Sequence, residues 1–271
     1  MTVGRWQTAG ADGDMRIHWA TLSEADISVA RDDGALVIVP LGAVEQHGAH
    51  LPVNTDIAIA AAVADEVARR LGNSLVTPPI HWGYSSSHMG FTGTISLRPG
   101  TLQALLEDIC GSLVTHGFEK VTILSSHGTN RPIAQIFVRE FHAATGKTVS
   151  YVHYTDFGKQ AFNELRKSEK GGEMHAGEFE TALQMFLNPE LVDLSVGHTE
   201  YVHPERHFGI ASASRDITEA GRISFGYDIK SIFPTGVMGD PMPATPELGA
   251  ALFERIVEGI VQVLGEYRAA P

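Results

Sequence analysis

The chain has 271 residues, 43% of them hydrophobic and 19% charged, enough to bury a substantial core and too apolar for a disordered chain. Its formal net charge of −12 repels phosphate backbones, and the densest basic stretch (Arg166, Lys167, Lys170) is interrupted by acidic residues, so nucleic acid is excluded as a partner. A single cysteine, Cys110, rules out a disulfide framework within the chain and points to a reducing, cytoplasmic setting.

The first ~15 residues carry Gly and Asp without the basic head and apolar core of a signal peptide, and read as loosely ordered. Ala35 to Leu41 is a continuous apolar run, as expected of a strand covered on both faces. Ile57 to Leu71 follows with apolar residues at helical spacing, and Gly72 stops it. Ser74 to Ile80 reads as a second strand. Thr101 to Gly117 reads as a helix with Thr101 as N-cap, and within its apolar pattern Cys110 reads as a buried structural thiol. Lys120 to Ser125 is a strand, after which Asn130 caps a helix carrying Pro132 in its first turn. Thr148 to Tyr154 alternates like a strand. His175 to Leu187 and Thr245 to Tyr267 read as helices, and Gly197 to Pro243 as loops and short strands. Alternating strands and helices with short links specify an α/β fold with a largely parallel sheet between helical layers, in one domain over 1–271. No apolar run is long enough to span a bilayer.

In such sheets ligands gather at the carboxyl ends of the strands, and the unusual polar segments fall there. Gly42-Ala-Val-Glu45-Gln-His47-Gly-Ala-His50-Leu-Pro-Val-Asn-Thr-Asp56 follows the first strand. Glu45 and His47, two apart, point the same way in extended backbone, and Asp56 sits where the next helix begins. Ionised carboxylates and neutral imidazoles are what a divalent ion requires. Ser126-His127-Gly128-Thr129-Asn130 leaves the third strand with a histidine aimed at the crevice. His175-Ala-Gly-Glu178-Phe-Glu180-Thr181 places His175 and Glu178 three apart, on one face of the expected helix. Each segment alone also suits an ordinary polar loop or amphipathic helix.

Together, in this order and spacing, these segments resemble the creatininase (creatinine amidohydrolase) family. Gly93-Thr94-Ile95-Ser96-Leu97 and Gly236-Val-Met-Gly239-Asp240-Pro241 add to the match, which runs from about Val37 to Leu264. The resemblance implies a three-layer α/β/α sandwich, a binuclear metal centre and a homohexamer. It implies that Glu45 and His127 hold one ion, His47 the other, and Asp56 both, with Glu178 as the remaining carboxylate and His175 as proton shuttle. Glu180 is expected to orient a ligand by hydrogen bonding. The ligands suit Zn, Mn or Fe alike.

The chain departs from creatininase itself at several positions. Thr129 stands where that enzyme has a carboxylate ligand, Gly128 where it has an aromatic residue, Gly171 where a tryptophan closes over creatinine, and Ser87 where a glutamate is common. Creatinine is therefore not the expected substrate. Tyr84, Ser87, His88, Gly128 and Thr129 are expected to line the substrate pocket. His50 reads as a loop residue near the site, and no role falls to His198, His203 or His207. The implied reaction is hydrolysis of a C–N bond in a cyclic amide or formamide. A lactone or cyclic ketone is the alternative substrate, and a non-catalytic, metal-stabilised assembly subunit is the alternative function.

Overall fold

In the computed structural model, which describes residues 16–270, the apolar run becomes strand β1 (Leu36–Leu41), buried along its whole length. The loosely ordered N-terminus expected from composition lies outside the described residues. Side chains of β1 alternate between two cores as a period of two requires. Leu36 and Ile38 enter one cluster; Val37, Val39 and Leu41 enter the other. Strands β2 (Ser74–Val76), β3 (Val121–Ser125) and β4 (Val149–His153) join it in the order β2-β1-β3-β4, all parallel. The same alternation sends Leu124 and Val152 to the first core and Val121, Ile123 and Val149 to the second.

Helices α1 (Glu24–Asp32), α3 (Pro99–Thr115) and α4 (Asn130–Thr145) cover the second core through Ala30, Leu102, Leu106, Phe137 and Phe141. Helices α2 (Thr55–Leu71), α5 (Thr155–Leu165), α6 (Glu178–Leu187) and α9 (Pro246–Ala269) cover the first through Val63, Val67, Phe162, Phe179 and Ile256. Burying each such large side chain stabilises the fold by about 1.5–3 kcal/mol, which is what holds the three layers together. Thr245 caps α9 by accepting from Leu248 N at 3.2 Å, with Pro246 at the first helical position, as the sequence implies. Cys110 is buried in the second core. No helix among the described residues is long and apolar enough to cross a membrane.

The structure departs from the sequence reading at several element ends. Strand β2 stops at Val76, and Ile80 makes only a bridge to Leu41. Helix α3 begins at Pro99 with Arg98 as N-cap, two residues before the expected opening. Asn130 is the first helical residue of α4, not its cap. Its side chain instead ties two loops together, donating to Gly42 O and accepting from Tyr84 N, each at 2.9 Å. Helices α1 and α5 were not expected. A capping box between Ser23 and Asp26 opens α1.

The largest departure concerns His175. It belongs to a short strand, β5 (Glu173–His175), paired antiparallel with β6 (Met238–Gly239). Ala176 then adopts φ = 55°, and α6 starts only at Glu178. His175 and Glu178 are therefore not on one helical face. Two short helices, α7 (Pro204–His207) and α8 (Ile229–Ile232), punctuate the irregular stretch before β6.

Candidate metal centre

Because the four main strands are parallel, their carboxyl ends open into the same crevice. The loop after β1 is pinned there by Glu45 N donating to Val53 O at 2.9 Å and by a bridge between Val44 and Ile95. This holds Glu45 and His47 pointing inward, 1% and 0% exposed. Asp56 enters from the first turn of α2, His127 from the turn after β3, and Glu180 from the first turn of α6. Potential ligand atoms of Glu45, Asp56 and His127 lie within 4.8 Å of one another, as do those of His47, Asp56 and Glu180 and those of Glu45, His47 and His175. Asp56 is common to the first two groups.

Hydrogen bonding sets the direction in which each imidazole presents its lone pair. His47 Nδ1 lies 3.1 Å from Glu45 O and must carry the hydrogen there. That leaves Nε2 as a lone pair facing Asp56 Oδ1 at 3.7 Å and Glu180 Oε2 at 3.9 Å. His127 Nε2 donates to Tyr84 O at 2.9 Å, so its Nδ1 lone pair faces Asp56 Oδ2 at 3.0 Å. Glu45 Oε2, His47 Nε2 and Asp56 Oδ2 are buried without any hydrogen-bond partner. Buried polar atoms are costly unless paired, and acceptor facing acceptor is repulsive. Only positive charge between them resolves the arrangement.

In the protein alone, protons meet that need. Burial opposes charge on His47, but Asp56, Glu180 and Glu45 outweigh it and hold the group up at about 10. His127 is likewise pushed up to about 9, burial being overcome by Glu45 and Asp56. Burial raises Glu45 to about 7. Asp56 is held far below the usual carboxylate range, its burial outweighed by His127 and His47. Two imidazoles that prefer to be cationic, beside the buried carboxylates of Glu45 and Asp56 and the half-buried one of Glu180, make a donor set that fits divalent ions.

Two residues depart from the places expected of them. The carboxylate of Glu178 points away from the centre. It accepts from Lys167 N at 2.9 and 3.2 Å, from Ser168 N at 2.8 Å and from Ser168 Oγ at 2.6 Å, and it belongs to none of the three groups. Glu178 fixes the turn after α5, and its carboxylate is spent on that turn. The carboxylate of Glu180 lies in one of these groups instead, because two residues along α6 turn a side chain by about 200°. Its Oε2 accepts from Ala176 N at 2.7 Å and its Oε1 from Tyr154 Oη at 3.3 Å. The positive φ of Ala176 is part of what brings it into place.

His175 lies against the cluster on its own strand. Its Nε2 is 2.7 Å from Gln46 O, and its Nδ1 is 3.6 Å from Glu45 Oε1. Ser87, His88, Gly128 and Thr129 line the same cavity, of about 590 Å³. Tyr84 does not line it. Its ring packs on the second core, while its carbonyl accepts from His127 Nε2 and from Thr129 Oγ1. His50 is buried, with Nε2 3.1 Å from Thr181 Oγ1.

Sequence reasoning assigned no role to two further residues of this region. His153 ends β4 at the cavity wall, with Nδ1 2.8 Å from Thr155 Oγ1 and Nε2 unpaired. Glu173 accepts from Phe179 N at 2.5 Å, where it caps α6, and leaves Oε1 unpaired. Only the apolar surroundings of these polar residues could have marked them. The far wall of the cavity is the stretch Ser214–Ala220, fastened by the buried ion pair between Arg166 Nη1 and Asp216 Oδ2 at 2.8 Å.

Residues 20–264 match the family described as Creatininase: Creatinine amidohydrolase. The mycofactocin precursor peptide peptidase of Mycobacterium ulcerans (strain Agy99) is 30% identical over 87% of this chain and 86% of its own. The creatinine amidohydrolase of Pseudomonas putida is 29% identical over 91% and 94%. The 3-dehydro-scyllo-inosose hydrolase of Thermotoga maritima is 25% identical over 85% and 77%. Among solved structures, a manganese creatininase superposes with a TM-score of 0.76 at 25% identity, covering 94% of this chain and 99% of its own. A mutant creatininase of Zn–Zn type gives 0.75 at 26% identity over 93% and 98%.

Proposed function

This chain belongs to the creatininase family of hydrolases, and from that premise we propose that it cleaves an amide C–N bond at a centre holding two divalent ions. The observation that carries the reading is the sharing of Asp56 between two groups of potential ligand atoms, one with Glu45 and His127 and one with His47 and Glu180. When bound, the ions would lower the pKa of a water molecule and draw charge from a carbonyl oxygen. Zn and Mn are the first candidates, as in the related creatininase structures, and Fe has the same ligand preferences.

The protein's own residues do the rest. Glu45, Asp56 and Glu180 bring negative charge to offset the ions. The backbone carbonyls of Glu45 and Tyr84 orient the imidazoles of His47 and His127. His175 Nδ1 carries a lone pair toward the cluster, where it takes a proton from the attacking water and returns it to the leaving nitrogen. Burial and the neighbouring His47 and His88 keep His175 well below its ordinary pKa, so it starts the cycle neutral, as a proton acceptor must.

Two substrate classes fit an amide-cleaving centre: a cyclic amide or formamide, and the end of a peptide. The cavity of about 590 Å³, walled by the Ser214–Ala220 segment and by residues at the start of α5, is within the usual range for ligand sites and has room beyond a single small ring. One relative is named a 3-dehydro-scyllo-inosose hydrolase; an inosose is a cyclic ketone, which keeps ring opening of a cyclic ketone as the second reading. A homohexamer and a cytoplasmic location, the latter in keeping with one free buried thiol, complete the proposal; light scattering tests the former.

The decisive experiment measures metal per chain on protein purified without chelators, then assays cyclic amides, formamides and short peptides with and without a chelator. The proposal expects metal-dependent turnover that His175→Ala abolishes without loss of metal. Protein that is metal-free and takes up neither added Zn nor Mn would overturn it. Metal retained with no turnover on any carbonyl substrate would favour an assembly subunit.

A further inference from the structure

Gln46 lies between two ligand candidates and is itself buried, 6% exposed, yet nothing above gives it a role. Its hydrogen bonds can be counted without ambiguity. The amide orientation is set by Gly48 N, which can only donate and lies 2.9 Å from Gln46 Oε1. Gln46 Nε2 therefore carries two hydrogens and has three neighbours to receive them: Gly236 O at 3.0 Å, His88 Nδ1 at 3.0 Å and His175 Nε2 at 3.1 Å.

His175 Nε2 is removed from this set by its other contact. It is 2.7 Å from the backbone carbonyl of Gln46, and a carbonyl cannot donate, so the hydrogen sits on His175 Nε2. An N–H cannot also accept. The two amide hydrogens consequently go to Gly236 O and to His88 Nδ1. His88 then carries its own hydrogen on Nε2, which faces Glu45 Oε1 at 3.5 Å. His175 presents the opposite polarity: a bare Nδ1 3.6 Å from the same carboxylate oxygen. The two rings are close neighbours, with centroids 4.5 Å apart.

We propose that Gln46 is a positioning residue that sorts these two histidines into opposite tautomers, His88 with its N–H held toward the Glu45 carboxylate and His175 with a bare nitrogen aimed into the cavity. The side chain and the main chain of one residue set both. An N–H held toward Glu45 Oε1 at 3.5 Å favours the ionised carboxylate in that position, as groups around a metal ligand orient it. The donor on His88 also means that it does not compete as a ligand through Nε2. Gly236 is part of the device. It has φ = 80°, and a Cβ there would collide with Gln46 Oε1, so only glycine brings its carbonyl to the amide. The roles given to Glu45 and His175 rest on the hydrolase reading; the tautomers do not.

The test reads the tautomers directly. Protein labelled with 15N-histidine and loaded with zinc is examined by solid-state NMR, and the His88 and His175 signals are assigned by difference against His88→Gln and His175→Gln. Wild type is expected to show His88 protonated at Nε2 only and His175 protonated at Nε2. In Gln46→Glu, where an oxygen replaces the amide donor, the His88 equilibrium is expected to reverse in favour of Nδ1–H by roughly tenfold, the worth of one buried hydrogen bond. Zinc per chain should be unchanged, which separates a positioning role from ligand loss. Wild-type His88 protonated at Nδ1 would overturn the proposal, and so would a His88 tautomer indifferent to Gln46→Glu. Should that variant not fold, the wild-type spectrum alone still decides. A protein that bound zinc with these tautomers but hydrolysed nothing would leave the positioning intact and refute the hydrolase reading instead.

Discussion

The placement of Glu178 and Glu180 gives the sharpest test of the site. Glu178 is fully buried and its carboxylate receives two backbone N–H groups and one hydroxyl from Lys167 and Ser168. Hydrogen bonds to a charged group contribute about 1.5–3 kcal/mol each, and removing the acceptor leaves buried donors unpaired. The bonds share one group and do not add fully, so Glu178→Ala is expected to cost about 4 kcal/mol, a melting point lower by about 8–16 °C for a chain of this size. Glu178→Gln keeps one acceptor oxygen and should cost about half as much. Neither should change the metal content of the protein that remains folded. Glu180→Gln is the mirror image. It keeps an oxygen for Ala176 N, so the fold should lose under about 1 kcal/mol, while bound metal should fall from about two ions per chain to about one. Calorimetry and elemental analysis on the same preparations separate the two effects. Metal lost from Glu178→Gln and kept by Glu180→Gln would refute the assignment.

Two further predictions concern the scaffold. A Cβ on Gly249 would strike Ala182 O, where α9 crosses α6, so Gly249→Ala should destabilise by about 3 kcal/mol through overpacking, seen as a lower urea midpoint at unchanged slope. Burial pushes the Cys110 thiol up to about 12, so alkylating reagents at pH 8 should label it only after denaturation; ready labelling of the folded protein would show that α3 does not pack as described.

Period-two and period-3.6 patterns carry most of the fold because burial on both faces of a parallel sheet leaves continuous apolar runs. Leu36 to Leu41 shows this: every residue is buried, so nothing polar interrupts the strand. The helix α1 is hard to read from sequence because it is nine residues long and only Ala30 is buried in it. Glu45, His47, Asp56 and His127, which the fold brings into the candidate groups, stand out in the sequence because unusual residue types cluster just after buried strands. Glu178 points elsewhere than its spacing from His175 suggests, for a local reason. Treating His175 to Leu187 as one helix puts His175 and Glu178 on one face, whereas the turn at Ala176, with its positive φ, resets the phase of α6. No propensity rule signals a left-handed alanine. The sorting of His88 and His175 by Gln46 depends on contacts across 42, 129 and 190 residues of sequence, and those become visible only once the chain is folded.

The charge logic of the centre also predicts how pH acts on it. Without metal, His47 is held up at about 10 and His127 at about 9, against an ordinary histidine value of 6.5. Each group is raised in the folded state, so its contribution to stability is fully present below about pH 6.5 and is lost as pH rises through 9 to 10. Glu45, raised to about 7, acts in the same direction at lower pH, from about 4.5 upward. Chelator-treated protein should therefore become less stable between pH 6.5 and 10, because the folded cluster binds more protons than the unfolded chain. Metal ions replace those protons. Loading at pH 8 should release about two protons per chain, from His47 and His127, and affinity should strengthen as pH rises. The two slopes are opposite in sign, and that contrast is the signature of a cluster built for cations rather than of a pair of histidines buried for packing. Melting points of the metal-free protein from pH 6.5 to 9.5, with titration calorimetry of zinc in buffers of different ionisation enthalpy, measure both. A flat metal-free profile with no proton release would mean that the buried lone pairs of His47 and His127 are satisfied some other way, and the case for a metal centre would fail at its electrostatic root.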